Sequence, residues 1–235
     1  MAQGAAAAVA RLDEITHRLR RECPWDREQD ERSIVPHTVE EAYELADAAQ
    51  SGDDARLLDE LGDVLFQVHF LALLLEERGA GDLATVADHC RQKLIRRHPH
   101  VFADAEVADA GEVLSNWDEI KREEPGREAG VFGEVPETLP GPLYARKLQR
   151  RASSAGHPTP TLEESVSKIA EERRRAAGSE PGGEEAFTAV GEILFAEVAA
   201  ARALKVDPEL ALRAAAERFR ERVQTDLAVG EGSRR

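Results

Sequence analysis

The sequence is short of sulfur, of rings and of positive charge. Cys23 and Cys90 are its only cysteines, Met1 is its only methionine, and aromatic residues make up 5%. The two cysteines form neither a CxxC nor a zinc-binding pattern, so a reducing cytoplasm is the simplest expectation. Scarce aromatics beside abundant alanine disfavour sheets and favour helices. No stretch alternates apolar and polar residues as a half-buried strand would. Long hydrophobic runs are also missing. The most apolar stretch, VLFQVHFLALLL, is broken by Gln67 and His69, and it is shorter than the roughly 20 residues needed to span a bilayer. The opening MAQGAAAAVA lacks the basic region of a signal peptide. Lysine and arginine total 31 against 46 aspartates and glutamates, a net charge of −15. That balance opposes binding to bulk nucleic acid or anionic membranes, yet leaves room for a local basic pocket that takes a small phosphate compound.

What is present is helical periodicity. A chain of 235 residues suits one large domain or two small ones. Residues 9–22 carry apolar side chains at helical spacing. CPWDREQDERS follows and reads as a loop, with Pro24 stopping the helix. A second helix is expected from about Pro36 to Gln50, with Thr38 as N-cap and Glu41 three residues on at capping-box spacing. A third is expected over about Ala55–Arg78 and ends at Gly79. A fourth covers about Asp82–Arg97 and stops before Pro99. A shorter one surrounds NWDEIKREE. Four packed helices form the natural unit.

Residues 125–142 are rich in proline and glycine and read as a linker. Beyond them the pattern repeats in weaker form. YARKLQRRA matches THRLRRE, ESVSKIAEERRRA matches TVEEAYELADA, AVGEILFAEVAAA matches ELGDVLFQVHFLA, and AAERFRERV matches CRQKLIRRH. Four matches in one order indicate an internal duplication. The expected organisation is a helical domain over 1–124, the linker, and a second, degenerate helical domain over 143–235.

Carboxylates crowd two of these helices. At about 100° per residue, Glu40, Glu41 and Glu44 fall within an arc of about 100°, and Glu60 and Asp63 lie about 60° apart. A solvated acidic face is the commoner reason for such spacing. Here, however, Leu57, Leu58, Leu61, Val64, Leu65, Phe66, Val68, Phe70 and Leu71 surround the third helix, and a helix that is apolar all round is expected to be buried. Carboxylates on a buried helix are costly unless they are paired or bind metal. A carboxylate cluster without clustered His or Cys suits hard cations, Mg²⁺ or Mn²⁺. A ferritin-like di-iron site would need two Glu-x-x-His motifs on core helices. Only Glu14 and His17 have that spacing, outside the acidic pair of helices.

The EEAYE motif followed by ELGD resembles the EExxE…ExxD pattern of the MazG family of nucleoside triphosphate pyrophosphohydrolases. CPWDREQ, ELGDVLFQVHF, KLIRRHPHVF and NWDEIKREE resemble further family segments across most of residues 9–125. The resemblance implies an all-α enzyme of tandem four-helix units. It implies Mg²⁺-dependent hydrolysis of an NTP or dNTP to the monophosphate and pyrophosphate, for cleansing or regulating nucleotide pools. It makes Glu41, Glu44, Glu60 and Asp63 the metal ligands. Glu40 is our own addition, to hold a second ion or orient the attacking water. The spacing of Lys93, Arg96 and Arg97, and of Lys121 after Trp117, reads by itself as a solvated basic face. The resemblance turns Lys93, Arg96, Arg97 and Lys121 into phosphate ligands. Trp25 or Trp117 could stack on a base. The resemblance also suggests a homodimer, as does the apolar third helix.

The second copy departs from the pattern. Ala189 stands opposite Glu60, Glu192 opposite Asp63, Glu171 and Glu172 opposite Glu40 and Glu41, and Arg175 opposite Glu44. A ligand is lost on each helix, and a fixed positive charge is expected where metal would bind. The competing reading of the whole chain is a nucleotide-sensing or protein-interaction module without turnover. The complete acidic set of the first half argues against it.

Overall fold

The computed structural model describes residues 2–124, 126, 130–133 and 135–232. The linker expected over 125–142 therefore lies partly outside the described residues. Among those described, every regular element is a helix: α1 (Ala2–Glu22), α2 (Pro24–Glu28), α3 (Glu31–Ser51), α4 (Asp54–Glu77), α5 (Leu83–Arg97), α6 (Pro99–Phe102), α7 (Ala110–Glu123), α8 (Gly141–Ser154), α9 (Leu162–Gly178), α10 (Glu184–Ala203) and α11 (Pro208–Gly232). None is long and apolar enough to cross a membrane. Cys23 and Cys90 are free thiols.

Two local expectations are corrected. The segment after Pro24 is a one-turn helix, α2, with the proline at its first position, where its missing N–H costs nothing. α3 begins well before Pro36, at Glu31. Its N-cap is Asp30, whose carboxylate accepts from the Arg32 and Ser33 amides, while the Ser33 hydroxyl takes the Asp30 amide. Thr38 is therefore a mid-helix residue. Its hydroxyl faces the Ile34 carbonyl and Gln67 Oε1 on α4, at 3.4 and 3.2 Å.

The chain divides into two compact units, Met1–Arg96 and Arg97–Arg235. This division lies earlier than the Pro/Gly-rich segment. The chain after Arg96 is tied into the second unit by the Arg97–Glu124 pair and by Asp118, which accepts from Arg150 and Ser154.

In the first unit α3 and α1 both pack on α4. The core is Ile34, Phe70 and Leu74, edged by Phe66 and Leu71. In the second unit α9 and α8 both pack on α10. The order of helix pairing is thus the same in both units, as a duplication requires. α4 is not buried all round. Leu58, at 74% exposed, begins a bare apolar strip that continues through Leu61, Leu65 and Val68. Hydropathy alone reports that such a face needs covering, not whether the same chain covers it.

Candidate metal centre

α3 and α4 lie side by side, and the facing sides of the pair carry acids as well as apolar side chains. α3 is fixed at its start by the Asp30 cap and ends at Gly52, whose φ of 70° is left-handed, the usual helix stop. Asp53 caps α4 through the Ala55 and Arg56 amides. Both helices are therefore pinned at the turn that joins them, and the acids a few turns away are held in register.

Glu41 on α3 meets Glu60 and Asp63 on α4. One carboxylate oxygen of each lies within 4.8 Å of the other two. Glu41 is half-buried, the Glu60 side chain is 12% exposed, and Asp63 is open to solvent. Burial holds the Glu41 carboxyl above its ordinary pKa, and Asp63, Glu44, Glu60 and Glu40 push it the same way. Burial likewise raises Glu60, reinforced by Glu44 and Asp63, while Arg56 pulls it down. The Arg56 guanidinium stands 3.9 Å from Glu60, a weak counterion for so many negative groups. Unneutralised carboxylate oxygens at this spacing fit a hard divalent cation, which takes oxygen ligands and needs several of them. The oxygen-only donor set also disfavours zinc, which prefers nitrogen and sulfur.

The other sequence-selected residues fall into three places. Glu44 is exposed on α3 and close enough to shift both Glu41 and Glu60. Glu40 sits at the rim, 3.3 Å from His37 Nδ1. Trp25 on α2 is half exposed and meets the His37 ring edgewise at 5.8 Å between centroids. A chain of contacts thus leads from Trp25 through His37 to the acidic rim. Lys93 and Arg96 lie on α5 within the first unit, half-buried and exposed respectively.

Arg97, Trp117 and Lys121 meet each other instead in the second unit. The Arg97 guanidinium lies 5.1 Å and the Lys121 amine 5.3 Å from the Trp117 ring centre. Arg97 is only 5% exposed and donates twice to Glu124, at 2.9 Å from Nε and again from Nη2. That setting differs from the one expected of a phosphate-binding arginine, because its charge is already answered.

Two contributors escaped the sequence reading. His37 lies one turn before Glu41, on the same face, and Arg56 lies one turn before Glu60. Both i, i+4 spacings are visible in the sequence.

In the second unit the corresponding place is closed. Ala189 is fully buried where the first unit has Glu60. Glu172, the counterpart of Glu41, is also buried, and its Oε1 accepts from the Lys168 amine at 2.7 Å. Arg175 stands 3.6 Å from the other oxygen. The Lys168 hydrogen bond pulls the Glu172 carboxyl below its ordinary pKa, opposite to the shift at Glu41. The positive charge expected from Arg175 is there, with Lys168 the nearer partner.

Comparison with known proteins places these features. Residues 29–102 match the family described as "MazG nucleotide pyrophosphohydrolase domain", a span that holds all five acids. A "Nucleoside triphosphate pyrophosphohydrolase" of Escherichia coli (strain K12) is 39% identical over 226 residues, covering 91% of this chain and 85% of that protein. A "Nucleoside triphosphate pyrophosphohydrolase/pyrophosphatase MazG" of Thermotoga maritima is 40% identical over 203 residues, covering 85% of this chain and 77% of that one. A "Nucleoside triphosphate pyrophosphohydrolase" of Mycolicibacterium smegmatis is 36% identical over 69% of this chain and 50% of its own.

Proposed function

The chain belongs to the MazG family of nucleotide pyrophosphohydrolases, and from that premise we propose that its α3–α4 acids hydrolyse nucleoside triphosphates, ribo or deoxy, to the monophosphate and pyrophosphate with Mg²⁺. The observation that carries this reading is the mutual approach of Glu41, Glu60 and Asp63, with the Glu41 and Glu60 carboxyls raised by burial and by neighbouring carboxylates rather than compensated. Such a set is costly as it stands and becomes favourable around a divalent cation.

Glu41, Glu60 and Asp63 would hold the cation, Mg²⁺ or Mn²⁺, with Glu44 as a further oxygen ligand. The cation supplies charge neutralisation of the triphosphate. Glu40, at the rim, orients the attacking water and takes its proton. The water oxygen bonds to the α-phosphorus, the α–β anhydride breaks, and pyrophosphate leaves with the electron pair. Trp25, backed by His37, stacks on the base. Lys93 and Arg96 bind triphosphate oxygens. The Arg97–Trp117–Lys121 cluster belongs to the second unit and is left outside this assignment.

The catalytic domain of this proposal is the first half. The second half folds but does not turn over substrate, because Lys168 occupies the neighbourhood of Glu172 that a cation would need and Ala189 offers no ligand. The bare strip of α4 supports a homodimer, in which a second copy covers Leu58, Leu61, Leu65 and Val68. A cytoplasmic setting agrees with the two free thiols. Cleansing or regulating the nucleotide pool is the role such an activity serves. The test is a panel of NTPs and dNTPs assayed for pyrophosphate with Mg²⁺, with Mn²⁺ and with chelator. Release of orthophosphate in place of pyrophosphate, or turnover unaffected by chelator, would overturn the reading.

A further inference from the structure

The duplication allows each core position of the first unit to be compared with its counterpart in the second. The alignment that sets Glu41 opposite Glu172 also sets Ile34 opposite Ser165. The one that sets Glu60 opposite Ala189 also sets Gln67 opposite Ala196, Phe70 opposite Ala199 and Leu73 opposite Arg202. Ile34 and Phe70 are the fully buried centre of the first unit. Their counterparts are among the smallest side chains available. Core positions that shrink together either collapse or leave space.

Here they leave space. Ser165, Ala196 and Ala199 line a cavity of about 350 Å³, walled by Leu148 and Phe195 and with Arg202 on its lining. A cavity of roughly 150 Å³ already accepts benzene, and small-molecule pockets begin near about 300 Å³. The lining is mainly apolar, so water gains little there.

Arg202 is the second observation. It replaces a core leucine, is half-buried, and its hydrogen-bond partner is neutral: it donates to Gln149 Oε1 at 3.4 Å, and Gln149 Nε2 donates to the Phe195 carbonyl. No carboxylate pairs with it among the described residues. Its charged neighbours are Arg146 and Arg150, whose own counterions are Asp207 and Asp118. The remaining charges on the lining are Lys168, Glu164 and Glu192, of which the first two are engaged elsewhere. Lys168 is held by Glu172, Glu164 caps α9 through the Thr161 amide, and Glu192 lies in the field of Lys168. His157 turns a ring nitrogen to the Pro158 carbonyl. Burial, with the two like charges, disfavours the charged Arg202 guanidinium. An anion brought into the cavity would relieve that cost.

We propose that the cavity between α8, α9 and α10 is a binding site for a small organic anion. A ring-sized apolar body sits against Leu148, Phe195 and Ala199, and its carboxylate or phosphate accepts from Arg202. The loss of core volume and the gain of an arginine are two independent departures from the first unit, and together they describe one ligand. The site rests on the comparison of the two units, the cavity and Arg202, and stands whether or not the first unit hydrolyses nucleotides.

The test uses the full chain and three probes that share one ring system: 2-naphthoate, 2-naphthyl phosphate and the neutral 2-naphthalenemethanol, titrated calorimetrically. At least one anion should bind saturably, more than tenfold tighter than the alcohol, and the preferred anion identifies the head group. Arg202→Leu, which restores the first unit's residue, should bring anion and alcohol to equal affinity. Ala199→Phe and, separately, Ser165→Ile refill the cavity and should abolish binding of all three. Circular dichroism establishes which variants fold, and Arg202→Leu decides alone if neither filled variant does. Absence of saturable binding by either anion, an alcohol that binds as well as the acids, or anion binding unchanged in the folded variants would overturn the proposal.

Discussion

The Lys168 amine stands 2.7 Å from the Glu172 carboxylate, at the position where Glu41 in the first copy meets Glu60 and Asp63. One buried glutamate is answered by a lysine one turn away on its own helix; its duplicate is answered by nothing stronger than other acids. The same helical framework thus carries one finished ion pair and one unfinished anion cluster.

If the cluster is the metal centre, Glu41→Gln should lower turnover by at least about 100-fold, beyond the usual loss for altering a group behind a ligand, while the helical dichroism is kept. Glutamine preserves the shape and removes the charge. Near-normal pyrophosphate release at saturating Mg²⁺ would sink the assignment.

The raised carboxyls of Glu41 and Glu60 fix a pH dependence. A group whose folded pKa lies above its unfolded value stabilises the fold below the unfolded pKa, and that stability is lost as pH rises through the folded one. Both carboxyls begin from 4.5. In chelator the melting temperature should therefore show a loss from these two groups as pH climbs from below the ordinary carboxylate range through their raised values. Added Mg²⁺ should restore stability increasingly over the same interval. Melting curves at fixed ionic strength, with and without Mg²⁺, read this directly. A Mg²⁺ effect that does not grow with pH would count against it.

Lys168→Met should lower the melting temperature of the second unit and release its Glu172 carboxyl upward in pKa, because the first cause of its depression is gone. The double variant Lys168→Met with Glu172→Gln should recover most of the loss. A single variant as stable as the parent would mean that the pair is idle.

Arg97→Met removes a nearly buried bidentate ion pair and should lower stability in urea unfolding, by up to about 3–5 kcal/mol. Adding Glu124→Leu should recover much of that. If Arg97 instead bound substrate, its loss would appear in KM with stability unchanged.

The helical content and the convergence of Glu41, Glu60 and Asp63 were legible, because both follow from 3.6-residue spacing. The start of α3 was misread for a physical reason. Thr38 and Glu41 have the spacing of a capping box, and Pro36 suits a first turn. Asp30 and Ser33 have equally good spacing, and a real box there carries the helix through Pro36. The bare face of α4 was read as buried because hydropathy records how apolar a helix is and not what covers it. The family resemblance makes Arg97 a phosphate ligand; its pairing with Glu124, 27 residues away, lies beyond any local pattern. Lys168 was within reach: its i, i+4 relation to Glu172 stands in the sequence. The cavity was not, since it depends on which residues share a core.

The apolar strip of α4 has a counterpart. Leu58, Leu61 and Leu65 align with Phe187, Val190 and Leu194 on α10, and all six are exposed. If both strips are contact faces, as the proposed homodimer makes the α4 strip, the chain has a valence of two. A closed dimer then requires both faces of one chain to meet both faces of the same neighbour. A neighbour that satisfied only one face would leave the other open to a third chain, and growth would not stop at two.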